Sequence, residues 1–139
     1  MNQLAKATKV MTAVTPTAGA AGTSAINGTT LDCSGYDGVL VAAHFGAIVS
    51  GAVTSIKAQH GDASDMSDAA DITGSSVTVN DTDDDKVFYI DVRVKKRYLR
   101  VVVSRATQNA TLAAVYVLYD AHNVPSTQDS AVSGVSVAA

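Results

Sequence analysis

The side chains best suited to chemistry in this chain are three histidines, His44, His60 and His122, thirteen serines, a single cysteine and thirteen acids, all of them aspartate. A nucleophilic triad needs a hydroxyl, an imidazole to take its proton and a carboxylate to orient the ring. No serine lies in a Gly-x-Ser-x-Gly turn, and a His-Glu-x-x-His metal motif is impossible because glutamate is absent. His44 falls inside an apolar segment, His60 opens an acidic stretch in Gln-His-Gly-Asp, and His122 begins the C-terminal tail. A set scattered in this way predicts no catalysis. Cys33 stands alone, so an intramolecular disulfide and a thiolate zinc site are both excluded. In Leu-Asp-Cys-Ser-Gly it is expected to be a small, partly buried side chain and not a nucleophile.

Two acidic groups have the look of cation ligands. Asp81, Asp83 and Asp85 alternate as in a calcium loop, but the sixth position of such a loop would be Lys86 instead of glycine, and the twelfth Val92 instead of glutamate. Asp62, Asp65, Asp68 and Asp71 recur every third residue. The simpler reading of both groups is a solvated acidic loop that discourages strand edges from pairing with other chains, and no cofactor or metal is expected. A basic cluster follows: Lys95, Lys96, Arg97, Arg100 and Arg105, with Tyr98 among them. Single-strand nucleic-acid binders interleave basic and aromatic residues in this fashion. The patch is short, however, and Arg100 alternates with Leu99 and Val101, as the outward face of a strand would. Docking to an acidic protein surface explains the cluster better than nucleic acid does.

Such side chains must be held by elements that the composition restricts. The chain has 20 Val and 23 Ala but only 6 Leu, 2 Phe and no Trp, so the core is built from small pieces. Valine and threonine suit a pleated surface, and aspartate competes with the helical backbone. At 139 residues the chain is expected to form one domain, residues 1–139, with a core over about 23–120 and arms over about 1–15 and 121–139. The net charge of −3 is mild, yet residues 62–85 hold eight Asp and no Lys or Arg, while residues 86–105 hold seven Lys or Arg and one Asp. This polarity either orients the domain against a partner or marks two solvated loops of opposite sign that face each other. The first residues lack a charged segment followed by an apolar one, and no run approaches the length that spans a bilayer. Synthesis in a cytoplasm without membrane attachment is therefore expected.

Along the chain, residues 4–14 form a first strand or extended arm, residues 16–22 a break, and residues 26–33 a short strand interrupted by Asn27-Gly28. The apolar segment 39–49 is preferred as a strand over a helix, since Val39, Val41 and Phe45 share one parity and Gly46 weakens a helix. Strands are expected over 52–60 and 77–79, separated by a long acidic loop. Residues 87–94 and 98–105 read as a hairpin around Lys95-Lys96-Arg97, a turn follows at Thr107-Gln108-Asn109, and 112–119 is the last clear strand. About eight short strands separated by turns are the signature of a β-sandwich or barrel. From Ala121 the residues are too small and polar to form a core of their own, so the tail is expected to order on a partner or along its own sheet.

The strings SIKAQHGDASDMSDAADITGS, VNDTDDDKVFYIDV and KKRYLRVVVSRATQNATLAAVYVLYDA, preceded by YDGVLVAAHFGAI, resemble the decoration, or cement, proteins of tailed-phage capsids. The resemblance covers about residues 36–120, and the Lys-Lys-Arg-Tyr-Leu-Arg and Ala-Thr-Gln-Asn-Ala strings are its most specific parts. Many members carry a shorter acidic loop or a Trp before it, and this chain has no Trp. The resemblance implies an all-β, jelly-roll-like β-sandwich with extended N- and C-terminal arms. It implies a place on the outer capsid surface of the virion, the major capsid protein as partner, a homodimer bridging capsomers, no cofactor and no catalysis. Residues expected to touch the capsid are Lys95, Lys96, Arg97 and Arg100, with Val124 and Pro125 in the tail. Two other roles compete: a tail or head–tail connector component, and a receptor- or carbohydrate-binding head module. The latter needs an exposed aromatic platform, and Tyr89, Tyr98 and Tyr116 lie in strands where packing is the simpler use.

Overall fold

The computed structural model describes residues 4–16, 24–50, 54–105 and 110–136. The break expected at 16–22, apart from Pro16, and the turn at Thr107-Gln108-Asn109 fall outside them. One helical turn, α1 (Leu4–Ala7), precedes ten strands: β1 (Lys9–Val14), β2 (Ile26–Asn27), β3 (Leu31–Asp32), β4 (Tyr36–Ile48), β5 (Thr54–Gly61), β6 (Ala70–Asp71), β7 (Val77–Val79), β8 (Val87–Arg93), β9 (Tyr98–Arg105) and β10 (Ala110–Ala121). Of the two readings of the N-terminal segment, the strand holds from Lys9 onward. The segment 26–33 splits in two at Gly28, as its turn pair suggested. The long acidic loop contains the two-residue strand β6.

All pairings are antiparallel, and they build two sheets. The first has the order β1-β10-β4-β8. The second has β9 and β5 at its centre, with β2 and β3 beside β9, and β6 and β7 beside β5. If β2 with β3 and β6 with β7 each count as one interrupted strand, the first, third, sixth and eighth of eight strand positions form the first sheet and the second, fourth, fifth and seventh form the second. The central pair of each sheet joins an early strand to a late one, which is the winding of a jelly roll.

The alternation of side chains explains the packing. Val39, Val41, Ala43 and Phe45 of β4 and Leu112, Ala114, Tyr116 and Leu118 of β10 point inward and are buried. They meet Ile56 and Ala58 of β5 and Leu99, Val101 and Val103 of β9. Phe45 and Phe88 touch edge to face, with centroids 5.5 Å apart. A register shift between Thr12 and Val14 lets β1 bury Ala13 and Val14 together.

Tyr116 binds the two sheets to each other. Its hydroxyl donates to the Thr29 carbonyl at 2.8 Å and accepts from the Val101 amide at 2.9 Å. That amide lies where β9 passes the gap between β2 and β3, so the phenol supplies the partner that a continuous strand would have given. Gly28 makes room: a Cβ there would lie 2.7 Å from Val101 Cγ1 and 2.9 Å from the Tyr116 hydroxyl.

The hairpin expected around Lys95-Lys96-Arg97 is not formed. β8 pairs with β4 in the first sheet, and β9 pairs with β5 in the second, so these residues cross from one sheet to the other. Alternation alone does not separate the two cases, because both strands carry an apolar row: Ile90 and Val92 in one, Leu99, Val101 and Val103 in the other. Those rows face the same core from opposite sides.

Candidate interaction surface

The crossing from β8 to β9 places Lys95, Lys96 and Arg97 at one end of the sandwich, with Arg100 within β9 and Arg105 at its far end, and most of the cluster is engaged within the molecule. Arg97 holds Asp32 through two nitrogens, at 3.2 and 3.1 Å, and its guanidinium lies 5.2 Å from the Tyr98 ring centre. This arginine, with the Ser34 amide, draws the Asp32 carboxyl below the usual carboxylate range. Arg100 donates to Gln59 Oε1 at 3.0 Å, and Arg105 donates to the Ser24 carbonyl. Lys96 reaches Asp62 at 4.0 Å. The basic and acidic segments therefore do face each other in part. Lys95 is exposed and borders a groove described below. Val124 and Pro125 lie exposed in the tail, away from this cluster, one residue before the point where the Ser126 amide donates to the Lys6 carbonyl.

The aspartates have local work. Asp68 accepts from the Asp62 and Ala63 amides, which hold its carboxyl below the ordinary range, and Gly61 leaves it the space. Asp65 accepts from the Ser67 amide, Asp71 from Gln59 and Lys57, Asp83 from the Asn80 amide and Lys86, and Asp84 from the Ile48 amide. These are turn-closing and strand-pinning bonds of the kind short acidic side chains make. Among the described residues no three His, Cys, Asp or Glu side chains converge in a group suited to a metal ion. The histidines lie on separate parts of the fold. His44 is exposed on β4, His60 is half-buried near the end of β5, and His122 pairs with Asp37 at 2.9 Å. Cys33 is buried, and burial with the neighbouring Asp32 charge pushes its thiol up to about 12.

The tail is not simply an arm. Gln128 accepts from the Val10 amide and donates to the Ala5 and Thr8 carbonyls. Thr29 caps the same strand further on, through the Thr12 and Ala13 carbonyls. The Gln128 and Thr29 side chains, with the Thr29 amide, thus occupy the free edge of β1.

The surface most suited to a partner is the outer face of the first sheet. Register sets Thr12, Val115, Ala42 and Tyr89 in one row across it, Val10, Val117, Leu40 and Asp91 in the next, and Ala113, His44 and Val87 in a third. Tyr89 is 65% exposed, Val87 52% and Val115 38%. A shallow, almost wholly apolar depression of about 180 Å³ lies among Ala42, His44, Val87, Ala113 and Val115. Tyr119 closes one end: its ring lies where a side chain at Gly38 would be, and its hydroxyl donates to Asp91 at 2.5 Å. β4 and β10 are apolar on both faces, as strands covered on both sides are, yet no described strand lies over the outer one, and Val87, Tyr89 and Val115 stay exposed there. Tyr89 was expected to pack and instead points outward. The sequence signal for this face was present in the near-continuous apolar runs of β4 and β10, which do not alternate as half-exposed strands should.

Fold and surface together define an antiparallel jelly-roll sandwich that presents one apolar sheet face. No protein-family model matches the chain, and no curated protein matches it. Among solved structures it is similar to that of PBSX exported protein XepA, with a TM-score of 0.58 and 15% sequence identity, covering 99% of this chain and 45% of that one. The chain thus spans less than half the length of XepA, and the likeness is one of fold. No helix among the described residues is long and apolar enough to cross a membrane.

Proposed function

We propose that this protein is a non-catalytic structural component of a tailed-phage particle, one that attaches to the outer surface of the capsid and bridges subunits of the major capsid protein. The observation that carries the reading is the outer face of the first sheet, which gathers exposed Val87, Tyr89 and Val115 on adjoining strands, where the other exposed large apolar side chains, among them Leu4, Val49 and Val124, lie outside the sheet strands. Exposed apolar patches of this kind mark surfaces that bind other proteins. The resemblance of residues 36–120 to capsid decoration proteins supports the phage context, and the fold shared with PBSX exported protein XepA is compatible with it. The dispersed histidines and the buried thiol favour binding over catalysis, with no cofactor. Lys95 and Lys96 would add a charged rim, while Arg97 and Arg100 are committed inside the chain. Many modest, symmetry-related contacts suffice to hold such a protein on a closed shell.

The test is co-sedimentation of purified protein with capsids that lack it, counting copies bound. Saturable binding at a stoichiometry set by the capsid lattice is the expected result. Binding of only a single ring's worth of copies would transfer the protein to a tail or connector, and no binding would remove the reading.

A further inference from the structure

The second edge of the first sheet is managed differently from the first. β8 ends the sheet order, and no described strand lies beyond it. The Lys86 carbonyl accepts from the Phe45 amide and the Val94 amide donates to the Asp37 carbonyl, both on β4, so by alternation the amides and carbonyls of Val87, Tyr89, Asp91 and Arg93 point away from the sheet. Beside this edge runs a groove of about 500 Å³, floored by the rim of the opposite sheet through Ile72, Ser75 and Val77. Where β1 carries side-chain caps, β8 offers a row of backbone groups above an open trough.

The tail of the chain has the matching pattern. Past Gln128 it runs Asp129 to Ser136 without regular structure, closed only by a turn at Asp129, and Val135 is 53% exposed. Laid antiparallel on β8 with Asp129 opposite Arg93, it sets Ala131 opposite Asp91, Ser133 opposite Tyr89 and Val135 opposite Val87. One face then carries an Asp–Arg pair at one end and an apolar pair at the other. Val132 points into the groove toward Ile72, between small neighbours. The same chain cannot do this. Gln128 is tied to β1, three strand spacings or roughly 14 Å from β8, and Asp129 is a single residue of about 3.8 Å further on.

We propose that the β8 edge and its groove receive residues 129–136 of a second copy of this chain, as an added antiparallel strand. The donor keeps its Gln128 anchor, and its turn at Asp129 opens. This concerns the free protein and stands apart from whether the protein binds a capsid. It is tested by analytical ultracentrifugation of the full chain without capsids, using Asp129→Arg, Arg93→Asp and the double variant, with circular dichroism to confirm folding. Loss of the oligomer in each single variant and its return in the double variant are expected. A second measurement pairs Val87→Cys with Val135→Cys in one chain; Cys33 is buried and stays out of the reaction. A disulfide joining two chains is expected. A monomer at every concentration, an oligomer indifferent to both reversals, or a disulfide closed within one chain would overturn the proposal.

Discussion

At the scale of single residues, the molecule depends on polar atoms placed where strands are interrupted. Tyr116 is fully buried, and burial pushes its phenol up, so the hydroxyl stays protonated and holds Thr29 and Val101. Tyr116→Phe keeps the ring but leaves a buried amide and a carbonyl without partners. A loss of about 2 kcal/mol is expected, read as a lower urea midpoint at unchanged slope. The acids act in the same local manner but with a pH signature. Asp32, Asp65, Asp68, Asp71 and Asp83 all titrate below the ordinary range, because amides, arginine, glutamine or lysine bind their charged forms. A native value lowered beneath the unfolded one means stability that is complete above about pH 4 and is lost as pH falls through the native values. Thermal unfolding followed from pH 6 downward should therefore show a midpoint that is flat and then declines below about pH 4. Asp68→Asn should flatten part of that decline; an unchanged profile would mean that Asp68 closes no turn. None of this was legible in the sequence beyond the presence of the residues. A spacing of three aspartates looks alike whether it ligates a cation or closes turns, and only the amides of Asp62, Ala63 and Ser67 decide between the two.

At the scale of elements, alternation made β5 and β9 readable, because an apolar row with a period of two has few other uses, and apolar runs bounded by turns did the same for β4 and β10. The same alternation was silent about partners. Residues 87–105 looked like a hairpin since two strands met at a short basic link, yet each strand faces the core from its own sheet. What assigns β8 to β4 is a register of long-range pairs from Gly38↔Arg93 to His44↔Val87, which no local pattern encodes. The tail was similarly underdetermined: its small polar residues gave no core signal, and its order comes from one side chain, Gln128, matched to three backbone groups a hundred residues away. Gln128→Ala should release the edge of β1 without unfolding the sandwich. Faster hydrogen exchange at the Val10 amide, with core amides of β4 and β10 unaffected, is the expected result. Exchange at Val10 equal to that of the parent would show that the tail does not cap this edge.

At the scale of the whole molecule, two jelly-roll sheets are left unequal. The second turns a polar, ion-paired face outward, through Lys57 with Asp71 and Arg100 with Gln59. The first turns out Leu40, Ala42, Val87, Tyr89, Val115 and Val117. An apolar face of this extent is costly in water unless a partner removes it, and that imbalance is what supports the proposed binding role. The most direct measurement compares Val115→Lys with the parent protein for binding to capsids that lack it, after circular dichroism shows both to be folded. A lysine at the centre of the face leaves the inner core untouched, since Val115 points outward. The account predicts binding weakened at least about tenfold, equivalent to roughly 1.4 kcal/mol. Undiminished binding by a folded Val115→Lys protein would contradict it and move the docking surface away from this sheet.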